Sequence, residues 1–198
     1  MQAGARRGRP GHDLESVLRG AVRAFNERGY DGTSMEDLSR ELGITKSAIY
    51  HHVTGKEELL RLGVNRALDG LFAVLDDVSA LDAPAITRLE ELARRSVLLL
   101  AAELPFVTLL LRVRGNTRTE RAALTRRREF DNAVAGLARQ ARDEGDLRED
   151  VDPALIARLL YGMINSVTEW YRPRGGDRPA ELADVFVSVA FDGLRLKP

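Results

Sequence analysis

The chain has 198 residues, of which 30 are Lys or Arg and 30 are Asp or Glu, so its formal net charge is zero. Because of this balance the chain as a whole is not a polycation, so any affinity for nucleic acid must come from a local concentration of positive charge. Hydrophobic residues make up 44% of the chain and Cys is absent, which excludes wholesale disorder, a disulfide framework, a thiol nucleophile and a thiolate metal site.

The N-terminal segment MQAGARRGRPGHD carries three arginines ahead of its first acidic residue: Arg6, Arg7 and Arg9. No hydrophobic region follows them, so a secretory signal is not expected. A short basic arm of this kind is suited to follow phosphates or to enter the minor groove of DNA. The alternative is a frayed terminus that happens to be basic.

The first predicted helix covers residues 13–28, where apolar residues recur on one helical face. Asp13 is expected to cap its start, and Gly29 to end it in the left-handed conformation. A second, short helix follows and is opened by a predicted capping box between Thr33 and Glu36.

Gly43 turns the chain into a third helix at about 45–52, and a capping box between Thr54 and Glu57 is expected to open a fourth helix that reaches about residue 78. The short second and third helices with their glycine turn are typical of a helix-turn-helix. Six apolar residues are spaced so as to hold the two helices together: Met35, Leu38, Leu42, Ile44, Ile49 and Val53.

The outer face of the third helix is rich in polar and cationic groups. Between Ile44 and Lys56 there are two Lys and two His and no acidic residue. The side chains that face outward are Thr45, Lys46, Ser47, Tyr50 and His51. This pattern fits a DNA-binding helix, and it also fits a solvated surface helix, so the spacing alone leaves both readings open.

Beyond Pro84 the predicted helices are longer and more apolar. Asp152 and Pro153 give one of them a capped start. The five ranges are 85–103, 105–114, 119–144, 153–171 and 180–195. Since no alternating strand pattern of useful length is present, the chain is predicted to be all-α, with about nine helices.

The longest apolar run, residues 96–111, is interrupted by Glu103 and Pro105. It falls short of the roughly 20 residues that a membrane span requires. We therefore expect no membrane partner and a cytoplasmic protein.

Residues 21–60, AVRAFNERGYDGTSMEDLSRELGITKSAIYHHVTGKEELL, resemble the tetracycline-repressor (TetR) family of bacterial transcriptional regulators. The resemblance rests on the Phe and the Gly-Tyr pair at the end of the first helix, on LGITKSAIYHHV and on the helix start GKEEL. Val53 stands where Phe is commoner in the family. The resemblance implies a DNA-binding domain at 1–56 and a helical domain for effector binding and dimerisation at 57–198.

The resemblance also implies roles for single residues. Three of them lie where the family reaches base edges: Thr45, Lys46 and Ser47. Lys46 is expected to donate to guanine O6 or N7. Tyr50 and His51 match positions that touch phosphates or base methyl groups. Two further residues match phosphate contacts close to helix N-termini, which favour anions: Thr33 and Lys56.

Because one such domain reads only a few base pairs, a homodimer on a near-palindromic double-stranded DNA operator is expected. Apolar stripes on the last two predicted helices are the candidate dimer interface: Leu159, Met163, Leu182, Val185, Phe186 and Val189. The alternative is that these stripes cover the protein's own core.

A small-molecule effector site is predicted among polar and aromatic residues at core-like spacing: Phe106, Phe130, Tyr161, Asn165, Glu169 and Trp170. Arg112 and Arg127, from an arginine-rich run at 112–128, are candidate anion contacts at its mouth. The alternatives are ordinary packing and a solvated loop. INSVTEWYRPRGG resembles a subgroup of the family that senses acyl-CoA thioesters, which makes an acyl-CoA the expected effector.

Other classes of protein fit less well. The chain has no nucleophile or phosphate-loop motif, and His51 and His52, about 100° apart on a helix, cannot share a metal ion. We therefore predict no catalytic residues, no cofactor and no metal, and a repressor that a ligand releases. The alternatives are an activator or architectural DNA-binding protein without an effector and, further off, a helical enzyme.

Overall fold

The computed structural model describes residues 13–172 and 178–192. Within these residues the chain forms nine α-helices and no strand. They are α1 (Leu14–Arg28), α2 (Met35–Leu42), α3 (Lys46–Tyr50), α4 (Lys56–Ser79), α5 (Ala85–Ala102), α6 (Leu104–Arg112), α7 (Arg118–Asp143), α8 (Pro153–Trp170) and α9 (Pro179–Asp192). The all-α prediction is confirmed. Arg6, Arg7 and Arg9 lie outside the described residues.

The chain divides into two compact units, of which the first ends at Gly63 and the second begins at Val64. This division falls inside α4, a few residues beyond the predicted boundary between 56 and 57. In the first unit α1 packs on α2, and α2 on α3. Its fully buried apolar side chains include Val17, Val22, Phe25, Leu38, Ile49 and Leu59.

The start of α1 agrees with the prediction, and its end differs. Asp13 caps the helix, since its carboxylate accepts the backbone N–H of Ser16 at 2.8 Å. Gly29 has φ 82° and ψ 155°, so it provides the positive φ that favours glycine but not the left-handed helical conformation that was predicted. The chain turns immediately after Gly29, where the Thr33 N–H donates to the Tyr30 carbonyl at 3.2 Å.

The capping box of α2 is shifted by one residue from the prediction. Ser34, not Thr33, is the N-cap, and it exchanges hydrogen bonds with Asp37, not with Glu36. The Thr33 side chain is only 1% exposed and its hydroxyl donates to the Gly29 carbonyl at 2.8 Å. Because that bond closes the loop after α1, Thr33 is not available as a cap.

The turn before α4 also differs from the prediction. The backbone N–H and the hydroxyl of Thr54 both donate to Glu58, at 2.6 and 2.7 Å, where a pairing with Glu57 was predicted. These bonds hold the pKa of Glu58 below its ordinary value, with the backbone bond as the largest cause. The carboxylate thus remains charged at the N-terminus of α4, where the helix dipole favours it.

In the second unit α5 lies centrally and packs against α6, α7, α8 and α9, while α7 also packs along α8. Asp152 caps α8 by accepting the backbone N–H groups of Ala154 and Leu155, with Pro153 in the first turn, as predicted. An ion pair between Arg94 and Asp184 joins α5 to α9. The core of this unit is therefore built around one helix.

Ion pairs join α1 to α2 at the surface of the first unit. Glu41 accepts from Arg28 at 2.5 Å and from Arg23 at 3.4 Å. The hydrogen bond from Arg28 is the largest cause of a pKa of Glu41 that lies below its ordinary value. A carboxyl group whose pKa is lowered on folding stabilises the fold above its unfolded pKa, and this stabilisation is lost as the pH falls through the folded pKa.

Replacing Glu41 by Gln is therefore expected to lower the free energy of unfolding at pH 7 by about 1 kcal/mol or less. The difference from the unmodified protein should shrink as the pH falls through the lowered pKa of folded Glu41, because protonation then removes the charge that binds Arg28. Chemical denaturation at a series of pH values measures this difference. A difference that stays unchanged down to the lowest pH at which the protein still folds would show that the effect of the substitution is not electrostatic.

Candidate nucleic-acid interface

The turn between α2 and α3 is fixed by local hydrogen bonds. Gly43 adopts the left-handed conformation, with φ 65° and ψ 31°, which a residue with a Cβ atom rarely adopts. The Ile44 N–H donates to the Ser39 carbonyl at 3.1 Å, and the Ser39 hydroxyl donates to the Ile44 carbonyl at 2.6 Å. Thr45 then caps α3 by accepting the Ala48 N–H at 3.2 Å. These bonds fix the direction in which α3 leaves α2.

One face of α3 is anchored in the core and the other is exposed. Ile49 and Val53 are buried, so the helix cannot turn its polar face inward. The five residues predicted to contact DNA at this helix all lie on the exposed surface: Thr45, Lys46, Ser47, Tyr50 and His51. The structure thus brings them together on one surface, with the Tyr50 side chain 51% exposed.

Lys46 pairs with an acidic residue that was predicted to take part in the capping box of α2. Its ammonium group lies 3.1 Å from a carboxylate oxygen of Glu36, in the first turn of α2. Glu36 was assigned to a capping box, and the shift of that box to Ser34 and Asp37 leaves its side chain pointing toward α3. The sequence gives one indication of this ion pair: Glu36 becomes available to Lys46 once the capping box is placed one residue further along.

The two predicted phosphate contacts outside α3 are both held within the protein. The Lys56 ammonium donates to the Tyr30 carbonyl at 2.8 Å and lies 4.2 Å from the centre of the Tyr30 ring. An ammonium group has three donors, so Lys56 keeps donors for a further acceptor. The buried Thr33 hydroxyl has no such reserve, and the prediction that it contacts phosphate disagrees with its position. Ser34 is the exposed residue at this helix start.

Some of the predicted effector residues form a buried cluster in the second unit. The Phe130 ring contacts the ring of Tyr161 edge-on at a centroid distance of 5.0 Å and that of Phe72 at 5.7 Å. The Tyr161 hydroxyl is 2.8 Å from the hydroxyl of Ser96. Burial raises the pKa of the Tyr161 hydroxyl, so it stays protonated and can donate in this bond.

The remaining predicted effector residues do not join this cluster. Phe106 is buried beneath the guanidinium group of Arg66, 4.3 Å from its ring centre. Asn165 and Arg127 are half-buried, whereas Arg112 and Glu169 are exposed. Trp170 is 57% exposed. Trp170 therefore lies on the outer face of α8 and Phe106 beneath Arg66, both outside the Phe130–Tyr161 cluster, and the effector site remains a prediction.

Two arginines of the arginine-rich run form hydrogen bonds within the protein. Arg121 donates to the carbonyl groups of Gly115 and Asn116, at 3.1 and 3.2 Å. Arg126 pairs with Asp69 at 2.8 Å. The buried Glu120 completes a capping box with Thr117 at the start of α7. At these positions the structure agrees with the solvated-loop alternative and not with an anion site.

Large apolar side chains are exposed on both α8 and α9, and together we call them the α8–α9 face. Its exposed members are Leu155, Leu159, Met163, Trp170, Val185 and Val189. Leu182 and Phe186, also predicted in the interface, are half-buried on α9. From Leu155 to Trp170 the face extends about 22 Å at the rise of an α-helix.

In residues 13–172 and 178–192, no group of three or more His, Asp or Glu side chains is arranged to hold a metal ion. Within the same residues, no helix combines the length and the apolar composition needed to cross a membrane.

Both units match known protein families. Residues 17–62 match the bacterial regulatory proteins of the tetR family, and residues 82–194 match the tetracyclin repressor-like C-terminal domain. The HTH-type transcriptional repressor KstR2 of Rhodococcus jostii is 27% identical to the chain over 177 residues, which are 88% of this chain and 87% of that protein.

Solved structures give the same result. SCO3833, a member of the TetR transcriptional regulator family from Streptomyces coelicolor A3, is 57% identical, with a TM-score of 0.85 over 93% of this chain and 94% of its own. AibR, solved in complex with isovaleryl coenzyme A and operator DNA, is 29% identical, with a TM-score of 0.74 over 89% and 97% of the two chains. A helix-turn-helix with an exposed polar face thus occurs together with family matches in both units, and the chain belongs to the TetR family of bacterial regulatory proteins.

Proposed function

We propose that the protein is a transcriptional repressor that acts in the cytoplasm, binds a near-palindromic operator as a homodimer and is released by a small molecule. The observation that carries this proposal is the exposed face of α3, where Thr45, Lys46, Ser47, Tyr50 and His51 lie together on a helix held by Ile49 and Val53. The name of the relative KstR2 also describes that protein as a transcriptional repressor.

The DNA contacts follow from the chemistry of these side chains. Lys46 donates to guanine O6 or N7 in the major groove, and Thr45 and Ser47 offer hydroxyl groups to neighbouring bases. Tyr50 and His51 contact phosphates or base methyl groups, and Lys56 contacts a phosphate. A two-fold dimer places its two copies of α3 in successive major grooves, about 34 Å apart on one face of the DNA.

The α8–α9 face is the proposed dimer interface. A monomer that left this face in water would expose six large apolar side chains, and exposed apolar surface of this kind marks association sites. A two-fold axis through the face would pair α8 and α9 with the same helices of a second copy, so that four helices bury their apolar side chains against one another.

The proposed effector is an acyl-CoA thioester. AibR, whose structure contains isovaleryl coenzyme A, is similar to this chain over most of its length, and Arg112, Arg114 and Arg118 are exposed near the start of α7. Arg side chains suit the CoA phosphates because they bind phosphate with charge-assisted hydrogen bonds. Release from DNA requires that the ligand bind the DNA-competent and DNA-incompetent states with different affinities.

A DNA-binding protein without an effector is the second candidate. It is favoured by the packing of Phe130 and Tyr161, which were predicted to line a pocket and are core residues in this conformation. Binding of an acyl-CoA to the protein, measured by calorimetry, would exclude it.

Selection of DNA from a random library tests the proposal. The enriched sequence should be near-palindromic, and the protein should bind it more tightly than a random duplex in a fluorescence-anisotropy titration. A panel of acyl-CoA thioesters is then added to the complex, and one chain length should release the DNA. Failure to enrich any sequence would reject the DNA-binding role, whereas specific binding that no thioester changes would reject only the effector.

Replacing Lys46 by Ala is expected to weaken binding to the selected operator by about 1–3 kcal/mol, because a bidentate contact to guanine is lost. Binding to a random duplex should change much less. Replacement of Arg19, an exposed residue of α1 paired with Glu15, by Ala is the control for loss of one positive charge. An equal loss for operator and random DNA in the Lys46 variant would show that Lys46 does not read a base.

A further inference from the structure

We propose that Glu36 determines the DNA specificity of the protein by orienting Lys46 and by disfavouring binding to random sequence. The inference rests on the proposed DNA-binding function and adds to it an acidic residue outside α3. The observation that carries it is the ion pair between the two side chains, with 3.1 Å from the Lys46 nitrogen to the Glu36 oxygen.

The ion pair joins two points that the backbone holds in place. Glu36 lies in the first turn of α2, which the Ser34–Asp37 capping box fixes. Lys46 is the first residue of α3, which Thr45 caps. The Ser39–Ile44 hydrogen bonds fix the turn between the two helices. The carboxylate therefore reaches Lys46 from a defined direction.

The pair leaves Lys46 able to bind a base. An ammonium group has three donors, and Glu36 uses one of them, so two remain for guanine O6 and N7. The Lys46 side chain is 48% exposed in the pair. A lysine side chain loses much conformational entropy when it is held in place, and a side chain already oriented by Glu36 loses less of it on binding DNA.

The same pair weakens contacts that carry no sequence information. Binding to random DNA comes from the attraction of cations to phosphates. Glu36 cancels the charge of Lys46, and its own carboxylate, 67% exposed, is repelled by the phosphate backbone. Lys46 therefore adds little to the affinity for random DNA, whereas in an operator it offers guanine a hydrogen-bond donor that is already in position. Specificity arises partly from this unfavourable interaction with the wrong sequences.

Substitution of Glu36 by Gln, with operator and random duplexes titrated side by side, tests the inference. Affinity for the random duplex should rise about three- to fivefold, in the range of an exposed ion pair. Affinity for the operator should stay the same or fall, so that the ratio of the two affinities decreases. For random DNA, the slope of log affinity against log salt should become steeper by up to about one, since Lys46 can then contact a phosphate.

Three control variants separate this role from a general effect of charge. Glu27→Gln removes an acid from an exposed position on α1 and should leave the ratio of affinities unchanged. In a Lys46→Met background, Glu36→Gln should change both affinities by one common factor. Glu36→Asp keeps the charge and shortens the side chain, so binding to the operator should weaken and binding to random DNA should not increase. This variant also tests the inference if Glu36→Gln folds poorly.

The possible failures can be told apart. If the unmodified protein prefers the operator and Glu36→Gln keeps that preference within about twofold, the inference is overturned and the proposed function stands. A fall in the ratio that is equally large in the Lys46→Met background would also overturn it, because the effect would not pass through Lys46. If the unmodified protein prefers no sequence, the proposed function fails and this inference fails with it.

Discussion

Replacing Leu159 by Glu is expected to convert the proposed dimer to a monomer and to weaken operator binding by roughly 100-fold or more. Leu159 is 54% exposed and lies between Leu155 and Met163 on the α8–α9 face. The substitution places a carboxylate from each copy in an apolar interface, where an unpaired charge is strongly unfavourable. A monomer also loses the gain of about 10²–10⁴ in affinity that comes from linking two binding sites.

Sedimentation equilibrium measures the mass of the Leu159→Glu variant, and a titration with operator DNA measures its affinity. Leu81→Glu is the matched control, because Leu81 is an exposed leucine, 38% accessible, just after α4 and outside the α8–α9 face. The control should remain a dimer. A Leu159→Glu variant that keeps the dimer mass and full operator affinity would place the interface elsewhere.

Replacing Phe130 by Ala is expected to lower the free energy of unfolding of the second unit by about 3–5 kcal/mol. Phe130 is 2% exposed, and its ring contacts those of Phe72 and Tyr161. Removal of the ring leaves a cavity and deprives both neighbours of an edge-to-face contact. Urea denaturation followed by the fluorescence of Trp170, the one tryptophan of the chain, measures the change in the second unit.

Phe130→Leu is the control for this experiment, since it keeps most of the volume and should cost less than half as much as Phe130→Ala. The result also decides between two roles of the residue. A loss of less than about 1 kcal/mol for Phe130→Ala would mean that the ring lines a cavity that water or a ligand can fill, as the sequence predicted. A large loss would confirm that Phe130 is a core residue.

The helices were predictable because their apolar residues recur with the helical period, and the longest of them differ from the prediction by only one or two residues at each end. The capping boxes were not predictable to one residue. Thr33 with Glu36 and Ser34 with Asp37 have the same spacing, and only the bond from the Thr33 hydroxyl to the Gly29 carbonyl decides between them. That bond depends on the loop conformation, which local pattern does not specify.

The DNA-facing surface of α3 was predictable because Ile49 and Val53 define its inner side, which leaves the other side exposed. The ion pair between Glu36 and Lys46 was not predictable, since it depends on the angle between α2 and α3. The effector residues were the least predictable. Core-like spacing does not separate a side chain that lines a pocket from one that packs, as Phe130 does, or from one on an outer face, as Trp170 is.

The contact between Lys56 and Tyr30 has a mechanical consequence. Lys56 is the first residue of α4, and its ammonium group holds the Tyr30 carbonyl in the loop after α1. Thr54 and Glu58 close the turn just before it. The beginning of α4 is thereby fastened to the loop that leads into α2. The first turn of α4 and the loop that leads into α2 are therefore held together within the first unit, so the start of α4 cannot shift without carrying that loop with it.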